Sequence, residues 1–298
     1  MSRLFCAIAL AAVLLSNVSS AFAEVLVTVN GEELTDGDLK FLYLSRRIPE
    51  DQRPVVRERY IDMLIERALL KQFLKSRRVT ASKLVVDQHV ARVEKLIQRE
   101  GLDMGEVLKS LGYTRNTFRE EVALPLTWKR HAGLTITKQA LETFWKQKKP
   151  QFDGTEVRAS HIVKKIPKGA SEADIKVVRK SLNDLRGEIA SKKTTFEEAA
   201  QKHSDSLSGR KGGDLGLFPY SGKMPIDLTK VAFATEKGEI SPPFQTRFGI
   251  HILTVTEVEP GDLTLEDARP ELFEFLAEEL RQKLLDKLKA DAKIERAK

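Results

Sequence analysis

Two histidines, a serine and a glycine pair are the residues whose types and settings could carry chemistry. His161 lies in the alternating stretch Val157 to Val163 and His251 in Ile250 to Val255, so both fall on predicted strands. A neutral imidazole donates at one ring nitrogen and accepts at the other, so two of them can form an ordered chain or stiffen a core. Between them Ser204-Asp205-Ser206 leads into Gly212-Gly213-Asp214-Leu215-Gly216. No third ligand stands at helical or hairpin spacing from either histidine, which disfavours a metal centre. Ser206 lacks the G-x-S-x-G elbow of a serine hydrolase. Asp214 follows the glycines at once and no helix begins there, so a phosphate cradle fails too. On residue types alone, the histidines are either satisfied core groups or groups that order a site.

The stretch as a whole narrows this. Arg158-Ala-Ser-His161-Ile-Val163, the Gly212-Gly213-Asp214-Leu215-Gly216 loop and Phe248-Gly249-Ile250-His251 follow one another without a large gap. In that order they resemble the parvulin-type peptidyl-prolyl cis-trans isomerases, over residues 155–258. The resemblance implies a small α+β domain with an antiparallel four-stranded sheet, needing neither cofactor nor metal. It implies that His161 and His251 meet at the sheet centre and, with Ser206, form the catalytic group. It also implies that Leu215, Met224, Leu228 and Phe248 line the pocket for the proline ring. Three positions depart from the family: Ser206 replaces cysteine or aspartate, Leu228 the usual phenylalanine, and Phe248 a residue that is commonly smaller. They keep a second reading open, a catalytically weak or inactive holdase that uses the fold for recognition.

That reaction suits such a residue set. Rotation about a peptide bond faces a barrier of about 18–20 kcal/mol from the double-bond character of C–N. A rate gain of about 10⁵ asks for about 7 kcal/mol of preferential binding to the twisted state. An apolar pocket that keeps water off the amide, with a few oriented polar groups, can supply it without a nucleophile. Lys164, Lys165 and Lys168 follow the first strand; they could favour acidic residues before proline or be an ordinary solvated run.

The remaining elements must position this stretch. Inside it, Ser171 with Asp174 and Thr195 with Glu198 predict two capped helices, and Asp227 to Phe233 a short third. Ile240 to Thr246 reads as a further strand. Upstream, Val25 to Val29 predicts a strand ending at Asn30-Gly31. Helices then open at Thr35, around Ile61 to Phe73, at Ser82, at Thr114 and at Thr137. This region, 24–150, resembles the helical domain of SurA-type and PrsA-type exported chaperones. Residues 150–155 and 259–262 read as linkers. A last helix within 263–298 carries Leu272, Phe275, Leu276, Leu280, Leu284 and Leu288, a face it cannot bury alone. In the resembled chaperones the last helix returns to complete the first domain, with the isomerase inserted.

Residues 1–23 read as a signal peptide: Arg3, an apolar run from Leu4 to Leu15, and an Ala21-Phe22-Ala23 cleavage site. The run is shorter than the roughly 20 residues a spanning helix needs, so no stable membrane anchor is expected. Cys6, the only cysteine, falls within it, which leaves the mature chain without thiol chemistry. The net charge of +7 is spread thinly over 298 residues. No basic run is interleaved with aromatics, and nucleic acid is not expected as a partner. The expectation is therefore a periplasmic α+β protein acting on unfolded or partly folded clients that contain X-Pro bonds, with homodimer formation left open.

Overall fold

The computed structural model describes residues 24–167 and 169–297. The signal peptide expected at 1–23, with Cys6, and the loop residue Lys168 lie outside the described residues. By its internal contacts the chain divides into two units, residues up to Thr137 with Phe275–Lys298, and Lys138–Glu274.

The first unit opens with strands β1 (Val25–Val29) and β2 (Glu32–Thr35). Asn30 and Gly31 turn between them at φ 51° and 86°, the left-handed pair that a two-residue hairpin requires. The Thr35 N–H donates to Asp38 Oδ2 at 2.7 Å and starts α1 (Asp36–Ser45). Then come α2 (Arg53–Ser76), α3 (Lys83–Arg99), α4 (Met104–Ser110) and α5 (Arg115–Thr135). Ile61, Leu64, Ile65, Ala68 and Leu69 make the buried stripe of α2, as their spacing predicts. Val93 and Ile97 of α3, Val107 and Leu108 of α4, and Phe118 and Val122 of α5 share one apolar cluster.

The second unit begins with α6 (Lys138–Lys148), then β3 (Glu156–Lys164), α7 (Glu172–Ala190) and α8 (Phe196–His203). Both capping boxes expected at Ser171 and Thr195 are formed. A 3₁₀ turn over Leu207–Lys211 leads into β4 (Asp214–Pro219), followed by α9 (Ile226–Ala234), β5 (Phe244–Thr246) and β6 (Gly249–Glu259). The sheet order is β4-β3-β6-β5, antiparallel throughout. Successive side chains on a strand face opposite ways, so each face has its own core. Val157, Ala159, Leu253, Val255 and Phe218 meet Leu228 and Ala232 of α9 on one face. Ile162, Ile250 and Ile252 meet Leu182 and Leu185 of α7 and Ala199 and Ala200 of α8 on the other.

Two elements here differ from the reading of the sequence. The segment from Asp214 to Phe218, expected as loop, is the edge strand β4. The strand expected over 240–246 is confined to Phe244–Thr246, with Ile240 making an isolated bridge to Thr254. Pro242 and Pro243 lack the N–H that a continuous ladder would use. The segments at 150–155 and 259–262 run side by side: the Gly261 N–H donates to Thr155 Oγ1 at 3.0 Å, and the Leu263 N–H to Asp153 O at 2.9 Å.

The chain ends with α10 (Leu265–Asp291) and β7 (Ile294–Arg296). Residues 275–297 count with the first unit, where β7 pairs with β1 and completes a sheet of order β2-β1-β7. Lys289 Nζ lies 2.7 Å from Glu66 Oε1, and Arg296 reaches Glu58 at 2.6 Å and Asp62 at 2.5 Å. Of the expected leucine stripe Leu272 is fully buried, but further along the helix Ala277 and Leu285 are the buried residues, whereas Leu276, Leu280, Leu284 and Leu288 are half-buried. No helix among the described residues is long and apolar enough to cross a membrane.

Candidate active site

His161 on β3 and His251 on β6 occupy adjacent strands of the second unit and share the sheet face that carries Leu253 and Val255. Their Nδ1 atoms are 3.3 Å apart, with ring centroids at 5.4 Å and an interplanar angle of 28°. His161 Nε2 lies 3.2 Å from Ser206 Oγ and 3.0 Å from Ser208 Oγ, and the two hydroxyls are 2.9 Å from one another. At the other end His251 Nε2 lies 2.8 Å from Thr246 Oγ1, which also accepts the Phe248 N–H at 3.1 Å.

These contacts allow a continuous chain of donors and acceptors. Thr246 has one hydroxyl proton, and its contact with His251 Nε2 uses that proton if the threonine donates. His251 Nδ1–H then donates to His161 Nδ1, and His161 Nε2–H donates to the serine hydroxyls. Each ring carries one proton, and each nitrogen has a partner. Burial lowers the pKa of both rings to about 4, with His161 adding to the effect on His251. Both are neutral at physiological pH, and each then offers one donor and one acceptor to the chain.

Local backbone explains why the loop sits so close. Gly213 has φ 81°, and a Cβ there would fall 2.3 Å from His161 O. The His161 N–H donates to Gly213 O at 3.0 Å. Only glycine permits this approach, which delivers Ser206 and Ser208 to the imidazole.

Of the residues expected to line a pocket, Leu215 and Met224 pack partly buried against the cluster that contains Leu228. Leu228 itself is only 4% exposed. Phe248 is 51% exposed and lies outside that cluster, under the Arg247 guanidinium at 4.7 Å. The structure thus brings His161, Ser206 and His251 together, groups Leu215, Met224 and Leu228, and leaves Phe248 exposed outside that group. Reading the sequence missed Ser208, Thr246 and Phe244. Phe244 stacks on His251 at 5.3 Å and 19° and also packs against the apolar cluster, joining the two. Its signal was available: Phe244 and Thr246 are two apart on a strand beside His251, and so share a face. The arrangement is a neutral, oriented polar chain next to partly exposed apolar side chains, suited to holding an uncharged ring and amide.

Residues 161–257 match the model of the rotamase family, described as the PPIC-type PPIASE domain. Over 239 residues the chain is 31% identical to the putative peptidyl-prolyl cis-trans isomerase SurA of Haemophilus influenzae, covering 74% of each protein. It is 32% identical over 176 residues to the foldase protein PrsA of Bacillus subtilis, covering 58% of this chain and 52% of the relative. It thus spans about half of that relative's length. A solved structure of the peptidylprolyl isomerase PrsA from Bacillus anthracis aligns with 78% of this chain and 97% of its own, at 24% identity and a TM-score of 0.47.

Proposed function

Because this chain belongs to the SurA/PrsA family of parvulin-type chaperone-isomerases, we propose that it isomerises X-Pro bonds in unfolded extracytoplasmic clients and assists their folding. The observation that carries this reading is the buried, neutral His161–His251 pair, hydrogen-bonded from Thr246 to Ser206 beside Leu215, Met224 and Phe244. His161, Ser206 and His251 act as one unit. The two rings hold the serine hydroxyls in a fixed orientation, and Ser206 meets the substrate amide as donor or acceptor. Leu215 and Met224 receive the proline ring over the floor made by Leu228, and Phe248 lines the entrance. Excluding water from the carbonyl disfavours the charge-separated planar amide and so lowers the barrier to twisting. No bond is made or broken, and His161 and His251 remain neutral throughout.

The first unit supplies the client-holding surface, and the isomerase unit is inserted between the two segments that build it. Residues 1–23 direct export and are removed, which places the mature protein in the periplasm. Catalysed exchange of a short X-Pro peptide by the full chain, measured alongside suppression of client aggregation, tests this reading. Both activities are expected. Aggregation suppression without any peptide turnover would favour the holdase, for which Ser206, Leu228 and the exposed Phe248 are the supporting features.

A further inference from the structure

The loop that carries Met224 has little regular structure of its own. Between the end of β4 at Pro219 and the start of α9 at Ile226, residues 220–225 belong to no helix or strand, and Ser221, Gly222 and Lys223 are exposed. Side chains hold the loop instead. The Tyr220 ring is buried and contacts Phe152 at 6.2 Å and Phe233 at 5.2 Å, edge-on to the latter at 87°. Such separations are those of aromatic rings packed on one another. Phe233 in turn packs against the same apolar cluster as Met224 and Leu215. Ser221 Oγ donates to Glu271 Oε1 at 3.0 Å on the first half of α10, and Lys223 Nζ donates to Leu217 O. Phe152 is itself fixed: it contacts Phe144 of α6 at 5.7 Å, and Asp153 beside it accepts the Leu263 N–H through its carbonyl oxygen. Phe152 and Glu271 both lie outside residues 161–257, the part that matches the family model.

We propose that Tyr220, held by Phe152, is a positioning residue that sets the Met224 wall of the proline site. This rests on the isomerase reading given above and adds supports that lie outside the family domain. Met224 is half-buried in a segment without a hydrogen-bonded ladder, so its backbone takes its place from the anchors on either side. On the far side Pro225 fixes its own φ, and the Leu228 N–H donates to Pro225 O at 3.0 Å, which closes the segment onto α9. On the near side the Tyr220 ring is the buried anchor, and the Ser221–Glu271 bond supports the same end. A wall that must fit the twisted amide better than the planar one cannot drift, because a misplacement of about 1 Å can cost about 10²-fold in rate. Tyr220 acts through Met224, and Phe152 acts through Tyr220.

The test uses the full chain and a short X-Pro peptide. Tyr220→Leu keeps an apolar side chain but loses the ring, and Tyr220→Phe keeps the ring. Tyr220→Leu is expected to lower kcat/KM roughly tenfold, with Tyr220→Phe close to the wild type. Phe152→Leu should act in the same direction and add little to Tyr220→Leu in the double variant. Leu185→Ala, in the cluster on the other face of the sheet, controls for stability: it should lower the melting temperature at least as far and leave kcat/KM near the wild-type value. The chain has four methionines, so the Met224 methyl signal is assigned by Met224→Leu. Tyr220→Leu should shift and broaden that signal, and Tyr220→Phe should restore it. Unchanged kcat/KM in Tyr220→Leu, or an equal loss in Leu185→Ala, overturns the proposal. Absence of turnover by the wild type would defeat the isomerase reading instead, and peptide affinity, read from the Met224 signal on titration, then decides. Weaker binding by Tyr220→Leu than by Tyr220→Phe supports the positioning; equal binding overturns it.

Discussion

His161 Nδ1 lies 3.3 Å from His251 Nδ1, in the interior of a four-stranded sheet, with each ring's other nitrogen on a hydroxyl. Such a pair can transmit orientation from Thr246 on one edge strand to the Ser206 loop on the far side, but only while at least one ring stays neutral. Two imidazolium rings would both donate across the shared contact and repel one another.

The first prediction concerns pH. Both rings have a folded pKa near 4 against an ordinary value of 6.5. Between those values the unfolded chain binds more protons than the folded one, so stability is lost as pH falls from about 6.5 toward 4 and is flat above that range. The full loss is on the order of 3 kcal/mol for one ring. Urea unfolding of the second unit at pH 7 and pH 5, with ring titration by NMR, measures it. Histidines titrating near 6.5 in the folded protein would contradict the burial assigned to them.

A second prediction separates pocket from core. Leu215→Ala and Met224→Ala, at partly exposed positions, should lower peptide isomerisation while the unit stays folded. Leu228→Ala, at a position 4% exposed, should instead cost roughly 2–5 kcal/mol of stability. Melting curves beside exchange rates distinguish the two classes.

The two serines should be redundant toward His161. Ser206→Ala leaves Ser208 Oγ at 3.0 Å from Nε2, so the imidazole keeps a partner. Removing both hydroxyls leaves a buried nitrogen unpaired, at about 1–3 kcal/mol. A double-mutant cycle should therefore give a combined stability loss larger than the sum of the single losses; simple additivity would contradict the shared contact.

Much of this was legible in the sequence. The capping pairs at Thr35, Ser171 and Thr195 are local, since each needs only a hydroxyl and a carboxylate three residues apart. His161 and His251 were found through flanking motifs. What escaped depends on contacts distant in sequence. β4 has glycine at Gly216 and little apolar alternation, and it becomes a strand because β3 offers it a ladder. β7 is three residues long and exists through its pairing with β1. Ser208 and Thr246 are ordinary hydroxyls until the fold sets them beside imidazole nitrogens. Leu285 rather than Leu284 is buried because the neighbours of α10, not the helix alone, choose the buried line.

Truncation tests the role of the C-terminal segment. A cut after Glu274 removes the fully buried Leu285, the Lys289–Glu66 and Arg296–Asp62 ion pairs and strand β7, but keeps Leu272 and the Leu263 to Asp153 bond of the second unit. Burial of a leucine is worth roughly 1.5–3 kcal/mol, so the first unit should be destabilised and the isomerase unit spared. Hydrogen exchange over residues 55–75 should lose protection while short-peptide isomerisation persists. Unchanged protection would show that the segment is dispensable to that core.

The central claim, that the paired neutral histidines organise an isomerase site, is tested most directly by exchange spectroscopy on an X-Pro peptide at equilibrium. The wild type is predicted to accelerate cis–trans exchange. The His161→Ala/His251→Ala double variant, checked to be folded by amide spectra, is predicted to lose most of that acceleration. Equal acceleration by the wild type and a folded double variant would contradict the account.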